Sequence, residues 1–186
     1  ISPTIIKKEE SQLKHFRIIA LLFAVRIGLI PAGFSEAQEN PSDEYRIIIT
    51  VNRHQLALYK EDQPVKSYQI ATPKKILKST LGAHYIESIE FDPWWFPADA
   101  TRKAILKQEG INLPKAIPPN HSLNAMGKVK MRLSCFIYGK KLCFLHGTNK
   151  PWLIGQSVSR GCFRMRNEDI LELAQFLKIG TPVIIE

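Results

Sequence analysis

The chain has 186 residues, of which 45% are apolar and 23% charged, and a net charge of +9. This composition fits one globular domain with a tail and excludes a disordered chain. The positive charge suits nucleic acid, anionic lipid or an acidic polymer. The basic residues are scattered, however, with neither zinc-finger spacing nor a helical basic stripe, which argues against nucleic acid. The three cysteines are an odd number. They fit either one disulfide and one free thiol or three free thiols.

In chain order, Lys7, Lys8, Lys14 and Arg17 precede an unbroken apolar run at 18–25, and small residues follow up to Ala37. Basic, apolar and small-residue parts in that order predict a secretory signal over residues 1–37, cleaved after Ser35 or Ala37. The alternative is a membrane anchor, but the segment 18–34 is short for a span and is interrupted by Arg26. Residues 38–44 form a polar linker.

From Tyr45 the pattern changes. Residues 46–51, 55–59 and 65–71 predict an antiparallel meander, with turns at 52–54 and 60–64. His54 falls in a turn and is read as carrying no chemistry. Residues 72–80 are a Lys-rich loop, and 81–89 a strand that holds His84 as a surface or half-buried residue. Residues 91–127 collect Phe91, Trp94, Trp95, Phe96 and several prolines around a short helix at 101–108 closed by Gly110. So long a connection predicts a lid or binding loop. Trp94 and Trp95 fit a substrate wall as well as a small core.

Residues 129–133 and 134–138 are strand-like, Gly139-Lys140 makes a tight turn and 141–146 returns. Cys135 and Cys143 flank that turn as diagonal neighbours, so a disulfide between them is one of two outcomes. Asn167 reads as the N-cap of a helix with Glu168 and Asp169 in its first turn. Ile170, Leu173, Ala174 and Leu177 give its apolar face, Gly180 its end, and 181–185 the closing strand. The sum is a mostly-β domain over about residues 44–186.

The chemistry concentrates between His146 and Asn167. Gly161 allows a tight bend before Cys162. Arg160 and Arg164, two positions to either side, favour a thiolate. Backbone N–H groups at such a bend can receive an oxyanion. On these grounds Cys162 is either a nucleophile or a small buried hydrophobe. His146 is either its base or a bonded core histidine. Arg164 is read as a carboxylate-binding or structural partner. A zinc site from His146, Cys162, Cys135 and Cys143 is disfavoured by the wide cysteine spacing.

The strings His146-Gly147-Thr148-Asn149 and Ser157-Val158-Ser159-Arg160-Gly161-Cys162-Phe163-Arg164-Met165 resemble the signature of the L,D-transpeptidases with a YkuD-type catalytic domain. The resemblance extends over residues 45–186, including Trp94-Trp95-Phe96-Pro97 and Gly180-Thr181-Pro182-Val183. It implies a β-sandwich-like domain with a long lid-like loop and a C-terminal helix. It also implies a cysteine acyltransferase, acting as a monomer in the periplasm or cell envelope on peptidoglycan stem peptides, and so in cell-wall synthesis and cell shape. Cys162 would attack the carbonyl of the third residue and expel D-Ala. The acyl group would then pass to an amine of another stem peptide or of an envelope lipoprotein, and with water the activity would be that of a carboxypeptidase. His146 would act as base, and the amides of Gly161 and Cys162 as oxyanion donors. Arg160, Arg164, Gly147, Thr148, Trp94 and Trp95 would shape the substrate site, with no metal or cofactor. Two departures stand out. Arg160 takes the place of a common His, and the usual Thr-Pro-x-Gly turn reads Ser79-Thr80-Leu81-Gly82, with Thr80 in place of the Pro. Arg160 stays protonated and cannot serve as a base. The competing readings are a same-fold hydrolase and a catalytically silent wall-binding module.

Overall fold

The computed structural model describes residues 44–136 and 143–186. The signal segment, most of the linker and the turn at Gly139-Lys140 lie outside the described residues.

The first hairpins follow from β-branched and alternating sequence. Strands β1 (Tyr45–Thr50), β2 (Gln55–Lys60) and β3 (Gln63–Gln69) form the meander. Ile47 and Ile49 of β1 and Leu56 and Leu58 of β2 point into the core, each with no solvent exposure. Val51 ends the strand earlier than predicted and opens a 3-10 turn, Val51–Arg53, closed by His54 in the left-handed region.

Strand β5 (Gly82–Phe91) organises the rest. Its first residues, 82–85, pair with β10 (Pro182–Ile185), and its later residues, 86–91, with β6 (Val129–Leu133). One long strand therefore joins two half-sheets, giving the eight-stranded order β3-β2-β1-β10-β5-β6-β7-β9, where β7 is Phe144–His146 and β9 is Phe163–Arg164. Strand β10 lies parallel to β1. Beyond β6 come β7, antiparallel to it, and β9, parallel to β7. The expected mostly-β, sandwich-like domain is thus built on one curled eight-stranded sheet. One core draws Ile47, Ile49 and Leu58 from one half and Met131, Leu145 and Phe163 from the other.

Two very short strands, β4 (Thr72–Pro73) and β8 (Ser157–Ser159), form a separate parallel pair that the sequence reading missed. They tie the stretch after β3 to the segment that leads to Cys162. Helix α1 (Asp99–Glu109) is one turn longer than expected and buries none of its residues. Helix α2 (Asn167–Ala174) buries Ile170, Leu173 and Ala174 against the sheet. It ends at Gln175 rather than at Gly180, and Gly180 instead sits with φ 91° in the turn into β10. Cys135 and Cys143 are joined in a disulfide with Cα atoms 5.6 Å apart, which fixes the approach to β7.

Candidate active site

Cys162 is the free cysteine among the described residues. It lies one residue before β9, at the end of a bend knotted by Ser159. The Ser159 hydroxyl donates to the Cys162 carbonyl at 2.5 Å and accepts from the Gly161 amide at 3.2 Å. The Gly161 N–H is therefore used inside the bend, not aimed at a ligand. Ser159 is buried, and sequence reading gave it no role of its own. The Ser-x-Gly-Cys spacing was the available signal.

Strand β7 runs beside the bend and ends on His146, which is 1% exposed. The His146 Nδ1 lies 2.6 Å from the carbonyl oxygen of Gly147. A carbonyl only accepts, so Nδ1 carries the proton and Nε2 is the imidazole nitrogen with a lone pair. Gly147 thus acts through its carbonyl, as the group that fixes the histidine's tautomer. A side chain at Gly147 would overlap Asn167 Oδ1 and the Lys128 amide, and Gly127, with φ 67°, faces the same crowding.

Asn167 causes that crowding. Its Oδ1 accepts from the amides of Lys128 (3.2 Å) and Thr148 (3.1 Å), and its Nδ2 donates to the Thr148 carbonyl (3.0 Å). The expected N-cap role is thereby corrected. Arg166 occupies the cap position without a side-chain bond, and Asn167 is the first helical residue. Its amide stitches the backbone after His146 to the turn before β6, two partners far away in sequence that no local pattern reveals.

Burial lowers the His146 pKa to about 3, helped by the Arg164 charge and opposed by the Gly147 carbonyl. His146 is therefore neutral at physiological pH, as a proton acceptor must be. Burial raises the Cys162 pKa, while Arg164 and a backbone hydrogen bond from Phe144 pull it back. The expected thiolate is corrected by this balance. Arginine does stabilise the anion, but desolvation outweighs it. Both groups are neutral at rest, Cys162 as a thiol and His146 as an imidazole.

One cavity of about 400 Å³ brings together Cys162, His146, Arg160, Arg164 and Trp95. Helix α1 supplies a wall through Thr101, Ala104 and Ile105. The segment before α1 is pinned by buried Pro93 and Pro97, by backbone bonds between Trp95 and Ile117, and by Asn124 Nδ2 donating to the Pro93 carbonyl. Extended backbone alternates its side chains, so Trp95 faces the cavity while Trp94 does not line it. Trp94 is exposed and stacks on Phe96 with centroids 6.4 Å apart. Thr148 is also absent from the lining. It is buried, and its hydroxyl accepts from the Lys150 amide.

The zinc alternative fails chemically, because Cys135 and Cys143 are consumed by their disulfide. Among the described residues no cluster of three or more His, Cys, Asp or Glu side chains has metal-binding spacing. His54 and His84 are occupied locally, by the Ser157 hydroxyl and the Thr80 carbonyl.

With this geometry in place, residues 44–185 match the family model described as the L,D-transpeptidase catalytic domain. The chain belongs to the L,D-transpeptidase family. It is similar to a Bacillus licheniformis protein assigned as L,D-transpeptidase YkuD, with 33% identity over 141 residues, covering 76% of this chain and 65% of that relative. It also resembles an Escherichia coli protein assigned as L,D-transpeptidase YcfS, at 40% identity over 94 residues, 50% of this chain and 28% of the other. The chain therefore spans less than two thirds of the length of either relative. Among solved structures it resembles L,D-transpeptidase 3 from Mycobacterium tuberculosis in complex with a faropenem-derived adduct. The TM-score is 0.53 at 14% identity, covering 77% of this chain and 60% of that one. At that identity the likeness speaks for the fold.

Proposed function

We propose that this protein is a peptidoglycan L,D-transpeptidase with Cys162 as nucleophile and His146 as general base. The observation that carries this reading is the shared cavity. It holds a free thiol and a neutral imidazole whose Nδ1 proton is committed to Gly147, which leaves Nε2 to accept. Family membership supplies the reaction class. His146 takes the thiol proton as Sγ attacks the carbonyl of the donor's third residue. The scissile C–N bond breaks, the same proton passes to the departing D-Ala nitrogen, and a thioester remains. An amine acceptor, on a second stem peptide or an envelope lipoprotein, then resolves it.

The Ser159 knot leaves the Cys162 amide as the donor for the oxyanion, with Gly161 holding the bend. Trp95 and helix α1 exclude water from the thioester, which favours transfer over hydrolysis. Asn167 and Gly147 hold His146 in position. The substrate places the enzyme in the cell envelope, and the basic, apolar and small-residue order of segment 1–37 supports export. The test is incubation of the protein with tetrapeptide muropeptides, with and without an amine acceptor, followed by product mass spectrometry. Free D-Ala with a 3-3 cross-link is expected. Hydrolysed tripeptide alone, whatever the acceptor, would replace the transferase with a carboxypeptidase.

A further inference from the structure

Extended backbone at 93–97 turns successive side chains to opposite sides. Trp95 enters the catalytic cavity, whereas Trp94 and Phe96 stand on the other side, 47% and 70% exposed. Their rings stack with 23° between the planes, and among the described residues no cation or third ring covers them. The base beneath the rings is stiff. Pro93 and Pro97 are buried at its two ends, Trp95 is paired with Ile117, and Asn124 holds the Pro93 carbonyl. Two large aromatic rings held open to water on a rigid segment mark an interaction surface.

The surroundings of the pair narrow what can cover it. Along the chain it is bracketed by charges: Asp92, paired with Lys128 at 3.3 Å, and Asp99, paired with Arg102. A lipid surface would have to strip water from both ion pairs. A pyranose ring does not. Its C–H face is apolar and carries partial positive charge, which suits the negative face of a π-system, while its hydroxyls turn outward to polar neighbours and water.

We infer that Trp94 and Phe96 form a platform for a pyranose ring of the glycan strand that carries the donor stem peptide. The inference rests on the transpeptidase reading above and adds a second point of contact to it. The attacked carbonyl belongs to the third residue of the stem, so the sugar end of the peptide lies at most about 11 Å away along an extended chain. Trp94 is one residue, about 3.8 Å, beyond the cavity-lining Trp95, which brings the platform within the reach of that stem. The peptide enters the cavity past Trp95 while its sugar rests on the outer face of the same segment. Contact far from the reacting atoms then helps to position the donor. Trp94, which does not line the cavity, gains a role outside it.

The test compares two donors with the same tetrapeptide, one attached to its disaccharide and the other free, on the full chain. Wild type should favour the disaccharide-tetrapeptide by at least about fivefold in kcat/KM, the lower end of what stacking on one aromatic side chain supplies. In Trp94→Leu and Phe96→Leu, which keep apolar bulk without a ring face, that ratio should fall toward one, and Trp94→Tyr should retain part of it. A merely structural role for the two rings would depress both donors alike and leave the ratio intact, which overturns the inference. A wild type that treats the two donors equally also overturns it and assigns the surface to another partner. Calorimetric binding of both donors to Cys162→Ala separates the inference from the reading beneath it. A preference for the sugar-bearing donor in Kd without turnover in wild type keeps the platform and removes the transpeptidase. Turnover without any preference does the reverse.

Discussion

The two halves of the curled sheet are built differently. Strands β1, β2 and β10 are paired residue by residue, and their inward side chains are aliphatic and buried. In the half that carries Cys162 and His146, the strands beyond β6 have only two or three residues and are held by side-chain amides, hydroxyls and a disulfide. The first half derives its stability from area removed from water. The second specifies positions, using polar groups whose partners are distant in sequence. Mutations should therefore separate the two: stability lost without chemistry in the first half, chemistry lost with little stability in the second.

The largest expected effect tests the second half. His146→Gln should lower kcat/KM by about 10²–10⁴-fold, the usual contribution of a positioned general base. Donor binding to this variant should still be measurable by calorimetry. Activity within a factor of two of wild type would remove His146 from the base role. In the first half, Ile49→Ala should destabilise by about 2–5 kcal/mol in urea unfolding while the folded fraction keeps its kcat. A matching loss of kcat would erase the contrast.

Asn167→Ala sits on the boundary and should do both. Losing the three bonds to Lys128 and Thr148 should cost about 1–3 kcal/mol, because two partly buried amides and a carbonyl lose their partner. kcat should fall with it, since the backbone that orients His146 is released. Intact activity would show that the Asn167 stitch serves folding alone.

The pH dependence is smaller and has a defined sign. The folded-state pKa of His146 is lowered, to about 3. The unfolded chain takes up this proton near the ordinary pKa of about 6.5, whereas the folded protein refuses it until about 3. Stability should therefore be unaffected above about pH 6.5 and decline as pH falls through that window. In His146→Gln the decline should be shallower by one proton. For Cys162 the shift is upward, so iodoacetamide alkylation should rise with pH to a midpoint above the ordinary thiol value. A midpoint near 6 would restore the thiolate that the flanking arginines alone suggested.

What the sequence made legible follows the same division. The meander, β6, helix α1 and the closing strand were readable because alternation and turn residues act locally. His146 and Cys162 were readable because a thiol, an imidazole and a glycine bend leave a compact signature. The short strands β4, β8 and β9 were not, because two or three residues carry no period and their pairing is imposed by neighbours far along the chain. Asn167 was misread for a related reason. Its position suits a cap, but its amide is claimed by Lys128 and Thr148. Charge near Cys162 was visible in the sequence, whereas the desolvation that opposes it depends on the walls contributed by residues 95–126.

The central claim is a thioester on Cys162, and intact-protein mass spectrometry after brief mixing with a tetrapeptide muropeptide tests it directly. The account predicts a covalent adduct of the donor's mass less one D-Ala, mapped to Cys162 and absent from Cys162→Ala. Release of D-Ala by Cys162→Ala at the wild-type rate, or donor binding with neither adduct nor D-Ala, would contradict it.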